Sequence, residues 1–189
     1  NKIDVRVLNL GSHYYGWPTF LRTKRIISQT EPETIRLFYP SAFYPHKNHY
    51  LLNLIKLESP TSIIVTIDKE HLPNCNNSLK FKGLIARDEV YELYQEVDAL
   101  LFLSSNESLG LPILEAVKCN LPIICPYAEY TKDLPLGNCF YFDLEDPHSL
   151  EDAIYTLREK IHEGWWPNWN FNAIYKTDAD ISIKDLLVG

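Results

Sequence analysis

DALLFLSSNESLGLPILEA, residues 98–116, holds a strand, a turn and the start of a helix in direct succession. Residues 98–105 are a short apolar run closed by polar punctuation, the pattern of a strand buried on both faces. Residues 106–110 then form a turn, and Pro112 is a favoured residue of a first helical turn. Glu107 and Glu115 therefore bracket the N-terminus of a helix that would otherwise be a plain core element.

Outward from this stretch, strand and helix signals alternate. Upstream come a strand at 34–40, a helix at 46–58 with apolar Tyr50, Leu51, Leu54 and Ile55, a strand at 62–68, a strand at 79–83 and an amphipathic helix at 86–97. Downstream follow a strand at 121–126, a short helix around AEYTKDL, a strand at 138–143 and a helix at 147–161. This βαβα rhythm with short connections predicts an α/β fold, a mostly parallel sheet with helices on both faces, since parallel strands need crossovers and bury both sides. Ligands of such sheets bind at the carboxyl ends of the strands, where Glu107 and Gly110 fall.

The chain reads as a single domain over 1–189. Its core lies at 34–161, preceded over 1–33 by a strand at 4–11 and an excursion, and followed over 162–189 by a tail helix. Trp165, Trp166 and Trp169, beside Pro167, are expected to dock on this same domain. A net charge of −7 argues against a surface that tracks nucleic-acid phosphates. Cys75, Cys119, Cys125 and Cys139 form no C-x-x-C pair and read as small buried hydrophobes in a reducing compartment. No apolar run reaches the ~20 residues that span a bilayer, and no signal peptide opens the chain, so a cytoplasmic location is expected. Without an initiator Met, the sequence is expected to be part of a longer polypeptide.

The quoted turn has a definite chemistry. The free amides of Leu109, Gly110 and Leu111 at the helix start, with the helix dipole, attract anions, and Gly110 lets a ligand come close to the backbone. Glu115 sits one turn inside, its side chain leaning back toward that end. At ~1.5 Å of rise per residue its Cα is roughly 7–8 Å from that of Gly110, an offset at which a carboxylate can hold sugar hydroxyls beside an amide-bound phosphate. An ionised Glu only accepts hydrogen bonds, so it suits a diol and repels phosphate. The plainer role for either Glu is to favour the helix N-terminus electrostatically, by ~0.3–1 kcal/mol.

The motif Glu107-x7-Glu115 within SSNESLGLPILEA resembles the signature of the family 4 "group 1" retaining glycosyltransferases, which have the GT-B fold. The likeness runs from residue 79 to 155, and FYPHKNH is similar to the family's Pro-x-Lys segment with Pro45 and Lys47 in place. The resemblance implies that the chain is the C-terminal, donor-binding domain, with an N-terminal acceptor domain absent. It implies Glu115 on the ribose hydroxyls, Glu107 on the donor sugar, and the amides around Ser108, Leu109 and Gly110 on the diphosphate or sugar. It further implies Lys47 on the diphosphate, Ser104 near it, and Gly83, Leu84 and Ile85 against the base. The donor is a nucleotide-diphosphate sugar acting as substrate, and the acceptor is a glycan or glycolipid reached through the absent domain. No cofactor and no metal are implied, Asp178 and Asp180 being taken as a surface pair. Polysaccharide biosynthesis at the cytoplasmic membrane face is the implied context, and the isolated domain is expected to bind donor without turnover.

The sequence also departs from the family. Ser41 and Ala42 stand where Gly-Arg is common, which removes one phosphate-binding cation. Arg87, Lys80 and Lys82 are possible substitutes, and His46 and His49 are expected at the surface. Two alternatives therefore stand: a non-catalytic nucleotide-sugar-binding module, and a nucleotide-sugar epimerase of similar fold. A dinucleotide-dependent oxidoreductase is the weakest, since no Gly-x-Gly-x-x-Gly follows a strand.

Overall fold

The computed structural model describes residues 34–57, 60–107, 110–132, 134 and 136–169. The expected strand at 4–11, the excursion after it, Ser108, Leu109 and the tail beyond 169 lie outside the described residues.

Six parallel strands form one sheet. They are β1 (Ile35–Tyr39), β2 (Thr61–Val65), β3 (Leu79–Phe81), β4 (Ala99–Leu101), β5 (Ile123–Pro126) and β6 (Cys139–Phe142). Their spatial order is β3-β2-β1-β4-β5-β6, so the direction of strand addition reverses between β1 and β4. In register, Leu37 lies opposite Ala99 and Phe38 opposite Leu100 across that boundary. The central strands are apolar throughout because helices cover both faces: every residue of β4 and β5 is buried.

Helices α1 (Leu51–Leu54), α2 (Arg87–Glu96), α3 (Leu111–Lys118) and α4 (Pro147–His162) connect or flank the strands. In α4 the buried stripe Leu150, Ala153, Ile154, Leu157 and Ile161 has the spacing of one helical face. Its boundaries follow from side-chain chemistry. Asp146 accepts the His148 amide at 3.0 Å with Pro147 next to it, and at the other end Gly164, at φ 88°, donates to Ile161 O while Trp165 N–H reaches Lys160 O. That pair of bonds is a Schellman stop. α2 opens with Asp88 and Glu89, charges that favour a helix N-terminus, and lays Tyr94 edge-on against Phe38 of β1 at 5.2 Å.

Three sequence expectations need correction. The helix over 46–58 is instead a 3-10 turn, Pro45–Lys47, followed by the four residues of α1. Asn48 breaks it by adopting φ 50° and sending its side-chain amide to Leu103 O at 2.8 Å, a long-range bond that helix continuation would forfeit. AEYTKDL makes turns, with no helix among its described residues. The buried Thr131 hydroxyl there accepts the Ala128 amide and lies 2.6 Å from Pro126 O, satisfying backbone groups that a helix would otherwise pair. Residues 165–169 are likewise not helical. Their indoles do lie on this domain: Trp166 Nε1–H donates to Asn120 O at 2.9 Å, Trp169 Nε1–H to Leu121 O at 2.7 Å, and Trp165 packs edge-on to Phe140.

The four cysteines are free thiols, with Cys119, Cys125 and Cys139 buried. No helix among the described residues is long and apolar enough to cross a membrane.

Candidate functional site at the β1–β4 crossing point

Strand order reverses between β1 and β4, and the carboxyl ends of the strands at such a reversal are where open α/β sheets take ligands. Here the loops that follow β1 and β4 are tied together. The Ser105 amide donates to His46 O at 2.8 Å, the Ser104 and Ser105 hydroxyls each lie 3.2 Å from that same carbonyl, and Asn48 reaches Leu103 O. Two phenols brace the loops from either side: Tyr39 donates to Lys47 O and Tyr130 to Ser104 O. Burial raises the pKa of both, so they stay protonated donors.

Between the tied loops, Lys47 Nζ and Glu107 Oε1 form an ion pair. Both side chains are mostly buried, at 14% and 15% exposure. The Phe102 ring centroid lies 5.9 Å from Nζ. The pair thus joins the loop after β1 to the loop after β4 directly over the reversal.

α3 begins beside them. Gly110 sits at its N-cap with φ 59° and ψ 48°, a left-handed conformation, and a Cβ there would meet Ile113 Cδ1 at 3.2 Å. The Ile113 and Leu114 amides both donate to Gly110 O, so the amides of Gly110 and Leu111 precede the first rung of the helix. Glu115 is half-buried one turn in, and its Oε2 accepts the Tyr94 hydroxyl of α2 at 3.0 Å. That hydroxyl is also 3.3 Å from Pro112 O.

Lys47, Glu107, Gly110 and Glu115 are thus brought to one end of the sheet, around the reversal. Ser104 lies beneath it, fully buried, its hydroxyl turned to the His46 and Asn106 carbonyls. Gly83, Leu84 and Ile85 follow edge strand β3 at the same end of the sheet, Leu84 with 98% of its surface exposed. Gly83 has φ 64°, and a Cβ on it would strike Asp68 Oδ1 at 2.7 Å.

Two of the three substitute cations lie away from the reversal, and Arg87 stands at the first turn of α2. Lys82 pairs with Glu89 at 3.2 Å on the surface, and Lys80 lines an open cavity with Arg36, Ser62 and Asn77 toward the opposite end of the strands. His46 is exposed, whereas His49 corrects the expectation of a surface ring: it is 2% exposed, 4.9 Å from the Tyr39 ring, with Nε2 2.9 Å from Ser41 Oγ. Burial, with His71 and Lys47 nearby, pushes its pKa down to about 4. Among the described residues, no group of three or more His, Cys, Asp or Glu is placed to hold a metal ion. Sequence reasoning missed the supporting side chains Tyr39, Asn48, Tyr94 and Tyr130, and misplaced His49 at the surface. In a linear sequence Tyr94 is simply part of an apolar helix stripe, and nothing marks its hydroxyl as bound to Glu115.

Comparison with known proteins follows the same segment. Residues 68–159 match the family model described as glycosyl transferases group 1. The serotype-specific mannosyltransferase WbdA of Escherichia coli is 32% identical over 118 residues, 61% of this chain and 14% of that protein. The O-antigen biosynthesis glycosyltransferase WclY, also of Escherichia coli, is 25% identical over 138 residues, 72% of this chain and 34% of that protein. The chain therefore spans only a minor part of these relatives' length. Among solved structures, Anabaena HepE in complex with UDP and glucose has a TM-score of 0.55 at 20% identity, over 69% of this chain and 40% of that one. The catalytic domain of cholesterol-α-glucosyltransferase from Helicobacter pylori has a TM-score of 0.56 at 15% identity, over 70% of this chain and 90% of that one. At such identities the likeness establishes the shared fold.

Proposed function

Starting from the match of residues 68–159 to the group 1 glycosyl transferase model and a Rossmann-like fold shared with glycosyltransferase structures, we propose that the β1–β4 crossing point holds a nucleotide-diphosphate sugar. The chain is then the donor-binding domain of an enzyme that transfers the sugar to a glycan or glycolipid acceptor with retention. The observation that carries this is the meeting of Lys47 with Glu107 over the strand reversal, beside the open N-terminus of α3 that bears Glu115.

Each group has a task matched to its chemistry. Lys47, with the Gly110 and Leu111 amides, neutralises the diphosphate, whose charge grows as it leaves. Glu115, fixed by Tyr94, accepts from the ribose hydroxyls. Glu107 accepts from the donor sugar, and the exposed Leu84 with Gly83 and Ile85 offers a surface to the base. In the transfer, the bond from the anomeric carbon to the diphosphate oxygen breaks and the acceptor oxygen bonds to that carbon on the same face. The acceptor's proton passes to the leaving diphosphate, so neither a protein nucleophile nor a cofactor is needed. Acceptor binding and exclusion of water fall to a second domain, and the domain alone binds donor without turnover. UDP in the HepE complex and the O-antigen role of WclY support a nucleotide-sugar donor and polysaccharide assembly, here placed at the cytoplasmic membrane face.

A binding-only module is the second reading, and one observation favours it: Ser41 is tied to His49 and Ala42 is exposed, so no second cation stands on that loop segment. Calorimetric titration of the chain with UDP, GDP and ADP, repeated on Glu115→Ala, tests the donor site. One nucleotide should bind, and the substitution should weaken it more than tenfold, about 1.4 kcal/mol. Binding indifferent to Glu115 would overturn the assignment. Sugar transfer by the complete enzyme separates transferase from binding module.

A further inference from the structure

Lys47 and Glu107 each have two claimants. In the structure each is the other's partner, in a mostly buried contact. On the donor-site reading, a diphosphate requires Lys47 while sugar hydroxyls require Glu107. A diphosphate that draws Lys47 fully away leaves Glu107 behind, an acceptor-only carboxylate that also repels the phosphate oxygens beside it.

Among the described residues, the neighbouring polar groups are committed elsewhere and do not relieve Glu107 once Lys47 has turned away. The nearby phenols are already committed: Tyr39 donates to Lys47 O and Tyr130 to Ser104 O. The Ser104 hydroxyl faces the His46 and Asn106 carbonyls. The Phe102 ring, 5.9 Å from Lys47 Nζ, favours the cation and offers the carboxylate nothing. A sugar carried on the diphosphate supplies the missing donors, because its hydroxyls can replace the ammonium as partners of Glu107. A bare nucleoside diphosphate supplies none.

We propose that the Lys47–Glu107 ion pair is a specificity device that discriminates between a sugar-bearing nucleotide and the bare nucleoside diphosphate. It disfavours the bare form by the full loss of the Glu107 partner, and it returns to the paired state as the spent nucleotide departs. The proposal rests on the donor-site reading above and adds that Glu107 opposes one ligand while assisting another.

The sign of one substitution tests this. UDP, GDP, ADP and inorganic pyrophosphate are titrated into the wild-type chain and into Glu107→Gln, Lys47→Ala, the double variant and Glu115→Ala. Glu107→Gln should tighten the nucleoside diphosphate that binds, and pyrophosphate with it, by fivefold or more. Lys47→Ala should weaken both ligands, and Glu107→Gln should bring a much smaller gain in the Lys47→Ala background. Glu107→Asp, which shortens the carboxylate and keeps its charge, serves if the Gln variant does not fold, with a smaller gain in the same direction. If Glu107→Gln leaves diphosphate affinity unchanged or lower while Lys47→Ala and Glu115→Ala weaken it, the discriminator is overturned and the donor site stands. A gain from Glu107→Gln that persists undiminished without Lys47 also overturns it, because simple repulsion then accounts for the effect. If no nucleotide binds, or binding is indifferent to both Lys47 and Glu115, the donor-site reading fails and the discriminator with it.

Discussion

Buried under the loop that carries Lys47, the His49 ring is held neutral, and this makes the loop sensitive to acid. The ring's pKa falls from 6.5 to about 4 on folding, through burial first and then the nearby His71 and Lys47. Between those values the unfolded chain takes up a proton that the folded chain does not, so folding is weakened as pH falls. Above 6.5 both states are neutral and the contribution is complete. Thermal melts should therefore show a midpoint steady above pH 7 that declines from pH 6.5 toward 4, with on the order of 2 kcal/mol at stake. His49→Gln should flatten that decline, and an unchanged slope would mean that other groups set it. Tyr94 acts at the same scale on the ligand side. Tyr94→Phe keeps the ring against Phe38 but removes the donor to Glu115, so nucleotide binding should weaken by about 1 kcal/mol, roughly fivefold, with a smaller effect on stability. Calorimetry beside a urea titration distinguishes this from a packing defect, which would move stability first.

Elements were readable where local chemistry set their ends. Asp146-Pro147 and Gly164 mark both limits of α4, and Pro112 marks the start of α3, because caps and stops depend on residues within a few positions. The segment 46–58 departs from its helical pattern because Asn48 answers to a carbonyl in another strand's loop, Leu103 O, and no window of sequence contains that partner. Thr131 acts in the same way, its hydroxyl bonding backbone groups in a run that otherwise reads as helix. Of the candidate site, Lys47, Glu107, Gly110 and Glu115 could be named from types and spacing because these are local, while the tyrosines that bond to this region could not. The start of α3 also carries a prediction. Gly110→Ala forces a side chain into a left-handed position with Ile113 at 3.2 Å, so stability should drop by about 1–2 kcal/mol in chemical denaturation. Nucleotide affinity should drop with it, whereas an unaltered denaturation midpoint would show that the turn relaxes freely.

Across the whole molecule, the alternation of strands and helices foretold a parallel sheet, but not the neighbours of each strand. β1 meets β4 over a long sequence separation, and only that pairing reveals where the strand order reverses. The foot of the same boundary is secured by Asp98, 1% exposed, which accepts the Arg36 amide at 2.8 Å and lies 3.7 Å from its Nε. Asp98→Ala should cost about 3 kcal/mol in urea unfolding, because it leaves buried donors at the join between the two halves of the sheet. A loss below 1 kcal/mol would place the join's strength in packing instead.

Three of the chain's four tryptophans stand together at residues 165–169, two of them bonded to the carbonyls of Asn120 and Leu121 just beyond the C-terminal end of α3. The other end of that helix bears Gly110 and, one turn in, Glu115. An eight-residue helix is only about 12 Å long. The protein thus carries its own fluorophores on the far end of the helix proposed to meet a nucleotide, and the proposed donor site predicts a change in tryptophan emission on nucleotide addition without any attached label.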